Sequence, residues 1–252
     1  MQRYFIPEVN WKDGLVTITG DDAHHIHRVM RSQVGDEIIC VHPQGYAVIC
    51  TITDIMSEKV EVEIGQLIEQ DRELPVHVTI VQALPKGNKL ELILQKGTEL
   101  GAHSFWLYQA DRSISKWDYK RAQQKLKRYR KIVKEASEQS HRNHMPSIET
   151  PLTLNTIVEK SKNYDARLFA YEEEAKTEDF SSFGSVLANI NKYKHILICI
   201  GPEGGFTKQE VAYLKGHHFV PIRLGARILR TETASMYILS SISYHFEELR
   251  CK

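Results

Sequence analysis

The spacing of apolar residues changes character near residue 73, and this change constrains the fold more than any other feature of the chain. Before it, residues 15–19, 37–41, 46–55 and 59–68 alternate apolar and polar side chains or are rich in Val, Ile and Thr, with Gly14, Gly20, Gly35 and Gly45 between them. Short strands punctuated in this way predict a small β-barrel. One helix interrupts them in GDDAHHIHRVMR, with Asp21 or Asp22 placed to cap it. The polar stretch 69–75 ends in proline and reads as a linker. Beyond it, strands at 76–84, 104–110, 166–171, 195–201 and 219–224 alternate with helical spacing over 88–101, 119–136 and about 232–249. Such β/α alternation predicts a parallel sheet with helices on its faces. Two domains are therefore expected, residues 1–73 and residues 74–252.

The 252 residues are 42% hydrophobic, enough for sizeable cores and against intrinsic disorder. The apolar runs 196–200 and 78–81 are far too short to cross a bilayer. The opening MQRYFIPEVNWKDG has no basic region followed by an apolar run, so a cytoplasmic protein is expected. Cys40, Cys50, Cys199 and Cys251 show no CxxC spacing and are expected as reduced thiols. The formal charge of +1 hides a strong segregation. Residues 1–73 carry 6 basic and 13 acidic side chains, whereas residues 74–150 carry 14 and 7. Within residues 112–142 the count is 11 against 3, which is either a solvated helix face or a footprint for a polyanion.

Two glycine-marked segments carry candidate chemistry. In ILICIGPEGGFTKQE, residues 196–210, an apolar strand runs into a glycine loop, and Thr207 with Glu210 forms a T-x-x-E capping box that starts a helix near Lys208. The loop lacks both G-x-x-x-x-G-K-[ST] and G-x-G-x-x-G. Glu203 would repel a phosphate, so the loop suits a ligand that is neutral or cationic where it touches. S-adenosylmethionine fits that description, and a purely structural strand-to-helix turn fits the loop equally well. The second segment is LGARILRTETA, residues 224–234. Gly225 allows close approach, Arg227 and Arg230 suit phosphate or a developing anion, and Thr231 or Thr233 is placed to cap the last helix. Both loops follow strands and can reach one pocket.

Taken together, RYFIP, GDDAHHIHRVMR, ALPKGNKLELILQKGTELG, EASEQSHR, IGPEGGF and LGARILRTETA run in order across essentially the whole chain. They resemble the RsmE family, bacterial 16S ribosomal RNA uridine N3-methyltransferases of the SPOUT (α/β-knot) superfamily. The resemblance implies an N-terminal PUA-like β-barrel for RNA recognition, followed by a SPOUT-type α/β domain with a deep trefoil knot. It further implies S-adenosylmethionine as cofactor, the small ribosomal subunit as partner and a homodimer. The cofactor residues expected on this basis are Phe169, Ala170, Ile200, Gly201, Pro202, Glu203, Gly204, Gly205, Leu224, Gly225, Ile228, Leu229, Thr231 and Thr233. Transfer would be an in-line displacement by uridine N3 on the methyl group. Arg230 is the leading candidate to stabilise the imide anion, and Glu232 and Glu203 are candidates for positioning or proton removal.

The remaining motifs suggest RNA contacts. At about 100° per residue, His24, His27, Arg28 and Arg31 share one helix face, and Ala23, Ile26, Val29 and Met30 lie opposite. The apolar face is expected on the barrel and the basic face toward phosphate, with Arg3 joining it. No fourth ligand accompanies His24, His25 and His27, so no metal is expected. Lys86, Lys89 and Lys96 form either a soluble outer face or a phosphate track, with Glu99 orienting Lys96. Gly97 and Gly101 suggest close packing. Arg112 opens the basic block, and the family match places Gln139, Ser140 and Arg142 at the rim of the catalytic cleft. Leu239, Ile242, Phe246 and Leu249 follow core or interface spacing, and Ser235, Ser240, Ser241 and Ser243 allow another helix to approach. A non-catalytic RNA-binding assembly factor and an enzyme of small-molecule nucleotide metabolism are the rival readings.

Overall fold

In a computed structural model, which describes residues 1–114, 117–171 and 182–249, the alternating residues of the first seventy positions build a six-stranded sheet. Its strands are β1 (Arg3–Phe5), β2 (Trp11–Lys12), β3 (Leu15–Thr19), β4 (Glu37–Val41), β5 (Ala47–Ile55) and β6 (Lys59–Ile68), in the order β1-β4-β5-β6-β3-β2. All pairs are antiparallel except β1 with β4. Register shifts between Val48 and Cys50 and between Ile52 and Asp54 bend β5 against β6, and such bulges increase local twist and curl a sheet. The inward residues Val16, Ile18, Ile38, Val48, Ile52, Val60 and Val62 pack with Tyr4 and Ile6 into one core. The edges β1 and β2 are not paired in a ladder. Instead the Trp11 indole N–H donates to the Ile6 carbonyl at 3.2 Å.

The helix predicted in GDDAHHIHRVMR forms, but not with the expected faces. It is α-helical over Asp21–His24 (α1) and continues as a π-helical turn over His25–Val29. Ala23 and Ile26 are buried against the sheet, whereas Val29 is 59% and Met30 42% exposed. The i→i+5 bond from Met30 N–H to the His25 carbonyl underwinds the turn, so residues three and four apart leave the shared face. The cap also differs from expectation. Gly20 is the N-cap, and Asp21 and Asp22 sit in the first turn, where their charge favours the helix dipole without a side-chain cap bond.

The β/α alternation of the second region gives β7 (His77–Ala83), α2 (Lys89–Glu99), β8 (Ser104–Tyr108), α3 (Tyr119–Gln139), β9 (Ser147–Leu152), α4 (Leu154–Lys160), β10 (Ala166–Ala170), α5 (Phe183–Asn189), β11 (His195–Ile200), α6 (Lys208–Gly216), β12 (Val220–Ile222) and α7 (Thr231–Ser243). The sheet is parallel throughout, in the order β12-β10-β11-β7-β8-β9. Alternate strand residues face opposite layers. Val78, Ile80, Ile196, Ile198 and Ile200 pack with residues of α2, α3, α5 and α7, while Val81, Leu197 and Cys199 pack with residues of α4 and α6. Helices thus cover both faces of the parallel sheet, as the β/α alternation predicts. Gly97 is needed where α2 meets the sheet, because a Cβ there would lie 2.8 Å from the Phe105 ring. The 3.6-residue spacing of α3 puts Tyr119, Ala122, Leu126, Tyr129, Val133 and Ala136 on one face; the last five are buried, and the side chain of Tyr119 lies outside the described residues.

The chain divides into two compact units, Met1–Glu73 with Ser137–Met145, and Leu74–Ala136 with Pro146–Lys252. The end of α3 thus belongs to the first unit. There Arg142 N–H donates to the Ser137 carbonyl and His141 N–H to the Glu138 carbonyl, with His141 at φ +59°, which is a Schellman ending with histidine in the usual glycine position. The last helix covers the predicted length, but it is α-helical only over its first thirteen residues. After Ser243 a π-helical turn spans Tyr244–Glu248, so Leu239 and Ile242 are buried, Phe246 is half-buried and Leu249 is exposed. Cys40, Cys50 and Cys199 are buried free thiols, and Cys251 lies outside the described residues. Among the described residues no helix is long and apolar enough to cross a membrane.

Candidate functional site

Sheet topology chooses the place. From β7 the chain steps to β8 on one side, and from β11 it proceeds to β12 on the other, so the crossing direction reverses between β7 and β11. In open α/β sheets the crevice at the carboxyl ends of such strands is where ligands bind. The loops after β7 and β11 meet there. Glu203 accepts from the Lys86 backbone N–H at 3.2 Å and from the Lys89 ammonium at 2.8 Å. The same ammonium lies 3.5 Å from Glu232 on α7. Burial works against charge on Glu203, but Lys89 and nearby backbone N–H groups hold its carboxyl below the usual range. The Glu203 contact in turn raises the Lys89 pKa. The Lys89 ammonium, expected on an RNA track, therefore holds the site's carboxylates in place, and Lys86 joins it through its backbone N–H while its side chain stays exposed.

The glycine loop is built as the sequence predicts at its helix end. Thr207 caps α6 by accepting from Glu210 N–H at 3.2 Å, and the Glu210 carboxylate accepts from Thr207 N–H at 2.7 Å. Glu210 is buried and also accepts from Asp111 N–H at 3.0 Å and from the Tyr108 hydroxyl. Burial first, and then Glu210, push the Tyr108 pKa up, so Tyr108 stays a donor. Gly205 has φ +65° and its N–H closes a turn onto the Pro202 carbonyl at 2.9 Å. Arg112 braces the loop from outside, donating to the carbonyls of Gly204 at 2.8 Å and Phe206 at 3.4 Å. Phe206 is buried edge-to-face on Phe169, with ring centroids 5.9 Å apart.

The second loop returns from β12 to the end of β11. Thr231 opens α7, and its hydroxyl donates to the Gly201 carbonyl at 2.8 Å. The expected cap at Thr231 or Thr233 is not formed. Arg230 occupies the N-cap position without a side-chain bond, because the Thr231 hydroxyl is drawn inward to Gly201. Thr231 and Pro202 are buried, as are the side chains of Phe169 and Ile200, so at these positions the chain offers a ligand mainly backbone. Ala170, Leu224 and Leu229 are half-buried, and Gly225, Arg227, Arg230 and Thr233 are exposed. Ile228 is 76% exposed. Strand pairing puts Ala170 beside Ile222, so the ends of β10, β11 and β12 are adjacent.

Residues 72–243 match the family of RNA methyltransferase domains, and residues 18–65 match the RNA methyltransferase PUA domain. Ribosomal RNA small subunit methyltransferase E of Bacillus subtilis (strain 168) is 43% identical over 253 residues, covering 99% of each chain. The chain belongs to the RsmE family. The structure of the RsmE enzyme from Neisseria gonorrhoeae, bound to S-adenosyl methionine, matches with a TM-score of 0.85 and 28% identity over 96% of each chain. A methyltransferase from Legionella pneumophila with bound SAM matches with a TM-score of 0.81 and 27% identity over 95% of this chain and 96% of that one. The curled N-terminal sheet is thus the PUA domain of an RsmE chain, and the parallel sheet is its methyltransferase domain.

Several candidate RNA residues of this RsmE chain take other roles. Arg3 and Arg142 are only 4% and 3% exposed. Arg3 donates to the Arg142 carbonyl at 2.9 Å and to the Asn143 side chain, and Arg142 forms a buried ion pair with Glu73. Both are committed inside the first unit, so neither guanidinium is presented to phosphate. His24, Arg28 and Arg31 are exposed and His27 is half-buried, so basic side chains reach the surface here although the underwound turn does not align them on one helical face. Gln139 is exposed in the first unit. Lys96 pairs with Glu99 at 2.8 Å, as the i,i+3 spacing suggests. Ser235 is buried and bonded to Gln82, Ser241 donates to the Tyr237 carbonyl, and Ser243 pairs with Glu247, so these serines serve contacts within the chain. Sequence reasoning missed Gln82. A lone amide inside the apolar run VTIVQA was the available signal.

Proposed function

We propose that this chain uses S-adenosylmethionine to methylate N3 of a uridine in the 16S RNA of the small ribosomal subunit. The observation that carries this reading is the Thr231–Gly201 contact. It joins a glycine loop without a phosphate cradle to a helix start flanked by Arg230 and Glu232. The donor set fits the cofactor. Gly205 at φ +65° keeps the loop free of side chain, Leu224 and Leu229 supply apolar walls, and the ionised Glu203 favours a cation. When bound, S-adenosylmethionine supplies the electrophilic methyl group. The chain's own residues must then fix the base and lower the cost of removing its N3 proton. Arg230 is exposed, and its side chain makes no hydrogen bond or ion pair among the described residues, so its charge is available to a developing imide anion. Glu203 is held ionised by Lys89, which makes it a weak base. Glu232, farther from Lys89, is the better candidate for positioning the N3–H. The exposed side chains of His24, Arg28 and Arg31 are suited to phosphate.

The test is methyl transfer to small subunits or 16S RNA lacking the modification, followed by nucleoside analysis. The expected product is 3-methyluridine, and methylation of a ribose or another base would reject the specificity. Gly205→Val should weaken S-adenosylmethionine binding by roughly tenfold, because a residue with a Cβ pays about 1–2 kcal/mol for a left-handed conformation. Gly204→Val should do less, since its side chain would press only on the flexible stem of Arg112. Calorimetry checks the order, and equal affinities for both variants and wild type would contradict the loop assignment.

The same reading includes a trefoil-knotted chain, supported by the sheet order β12-β10-β11-β7 together with the bonds that tie the start of α7, the helix after β12, to Gly201 and Gln82 at the ends of β11 and β7. It also includes a cytoplasmic homodimer, supported by exposed Ile228, Tyr237 and Tyr244 in the methyltransferase unit. A monomeric sedimentation profile at micromolar concentration would count against the dimer.

A further inference from the structure

Gln82 stands fully buried near the end of β7, with Val81, Ala83 and Leu84 around it in sequence, all fully buried and apolar. Burying an amide is costly unless its hydrogen bonds are made, and here they are. The Ala83 carbonyl, 2.9 Å away, accepts from Nε2 and so identifies the amide nitrogen. Nε2 also donates to Thr231 Oγ1 at 2.8 Å. That leaves the Thr231 hydroxyl proton directed at the Gly201 carbonyl, also at 2.8 Å. The amide oxygen accepts from Ser235 Oγ at 2.9 Å. One side chain therefore grips α7 at two points a turn apart and, through Thr231, the first residue of the glycine loop.

We propose that Gln82 is a positioning residue for methyl transfer, setting the distance and rotation between the glycine loop and the start of α7. The assignment rests on the function proposed above. A single contact would fix only the separation of loop and helix. Two contacts to successive turns of α7 also fix rotation about the helix axis, and rotation is what swings Arg230 and Glu232 relative to the loop. An apolar residue of similar size would fill the space at β7 but could not fix that rotation.

The experiment compares Gln82→Met, Thr231→Val and the double variant with wild type in methyl transfer to unmethylated small subunits, in S-adenosylmethionine affinity by calorimetry and in thermal stability. Each single variant should lose about 10- to 100-fold in kcat, as small misplacements of reacting groups do, while cofactor Kd stays within roughly threefold. The double variant should be no slower than the slower single variant, because both changes break one linkage. A kcat within about twofold of wild type, multiplicative losses in the double variant, or a loss that follows Kd would overturn the assignment. If Gln82→Met does not fold, Thr231→Val, which keeps the side-chain shape, gives the same comparison. A wild-type protein that methylates nothing would reject the methyltransferase reading itself.

Discussion

Arg230→Ala should lower kcat for methyl transfer by about 10²–10³-fold, the loss typical when one preorganised donor to a developing anion is removed. The residue is placed for this by the chain around it. Thr231 is pinned inward on Gly201 and Gln82, which leaves Arg230 as the last residue before α7, exposed and with no side-chain partner among the described residues. Its removal therefore breaks no hydrogen bond of the fold, and stability should stay within about 0.5 kcal/mol of wild type. Cofactor affinity should also persist, because the glycine loop is held by Arg112 and Glu210 rather than by Arg230. Arg230→Lys should fall between the two, since a lysine keeps the charge and loses the planar fork. Raising the pH should recover part of the Arg230→Ala loss, because more of the uridine then ionises without help. Single-turnover transfer with calorimetry on the same samples checks both halves. Wild-type turnover by Arg230→Ala would remove the residue from the mechanism.

What the sequence made legible follows from how local each determinant is. The capping box at Thr207 and Glu210, the strands β3, β4 and β6, and the buried stripe of α3 depend on neighbours a few residues away, and all form as spaced. The edge strand β9 was not legible. It contains Pro151, which an edge tolerates but which weakens any strand pattern. Val29 and Met30 were assigned to a buried face on a 3.6-residue period that the π-turn does not keep. Arg3 and Arg142 looked like surface cations, because nothing local reveals that Glu73 and the Asn143 side chain wait for them about seventy and one hundred and forty positions away. Lys89 shows the same limit at the site. Its spacing with Lys96 suggests a phosphate track, while its actual partners, Glu203 and Glu232, lie in the loop after β11 and in the first turn of α7.

Glu73→Ala should be the most destabilising single change in the PUA unit. Its carboxylate accepts from the Arg142 guanidinium and from the backbone N–H groups of Asn143 and His144, both at 3.1 Å. These bonds anchor residues 137–145 just after the Schellman turn. Removing the carboxylate leaves Arg142, 3% exposed, as an uncompensated buried cation beside Arg3, and breaking such a pair costs about 3–5 kcal/mol. At about 2–4 °C per kcal/mol for a chain of this length, Tm should fall by about 6–20 °C. The effect has a definite pH signature. Burial alone would raise the Glu73 pKa, but Arg142 and the His144 N–H outweigh it and hold the folded value below the ordinary 4.5. A depressed folded pKa contributes stability that is complete above the unfolded value and is lost as pH falls through the folded one. The Tm gap between wild type and Glu73→Ala should therefore be full above pH 4.5 and narrow below it. Replacing both partners by apolar residues, Glu73→Leu with Arg142→Met, should recover part of the loss, because Arg142 is then no longer left as an unpaired buried charge. A gap that is small at neutral pH, or one that does not change under acid, would show that this ion pair is not what fastens residues 137–145 to the unit.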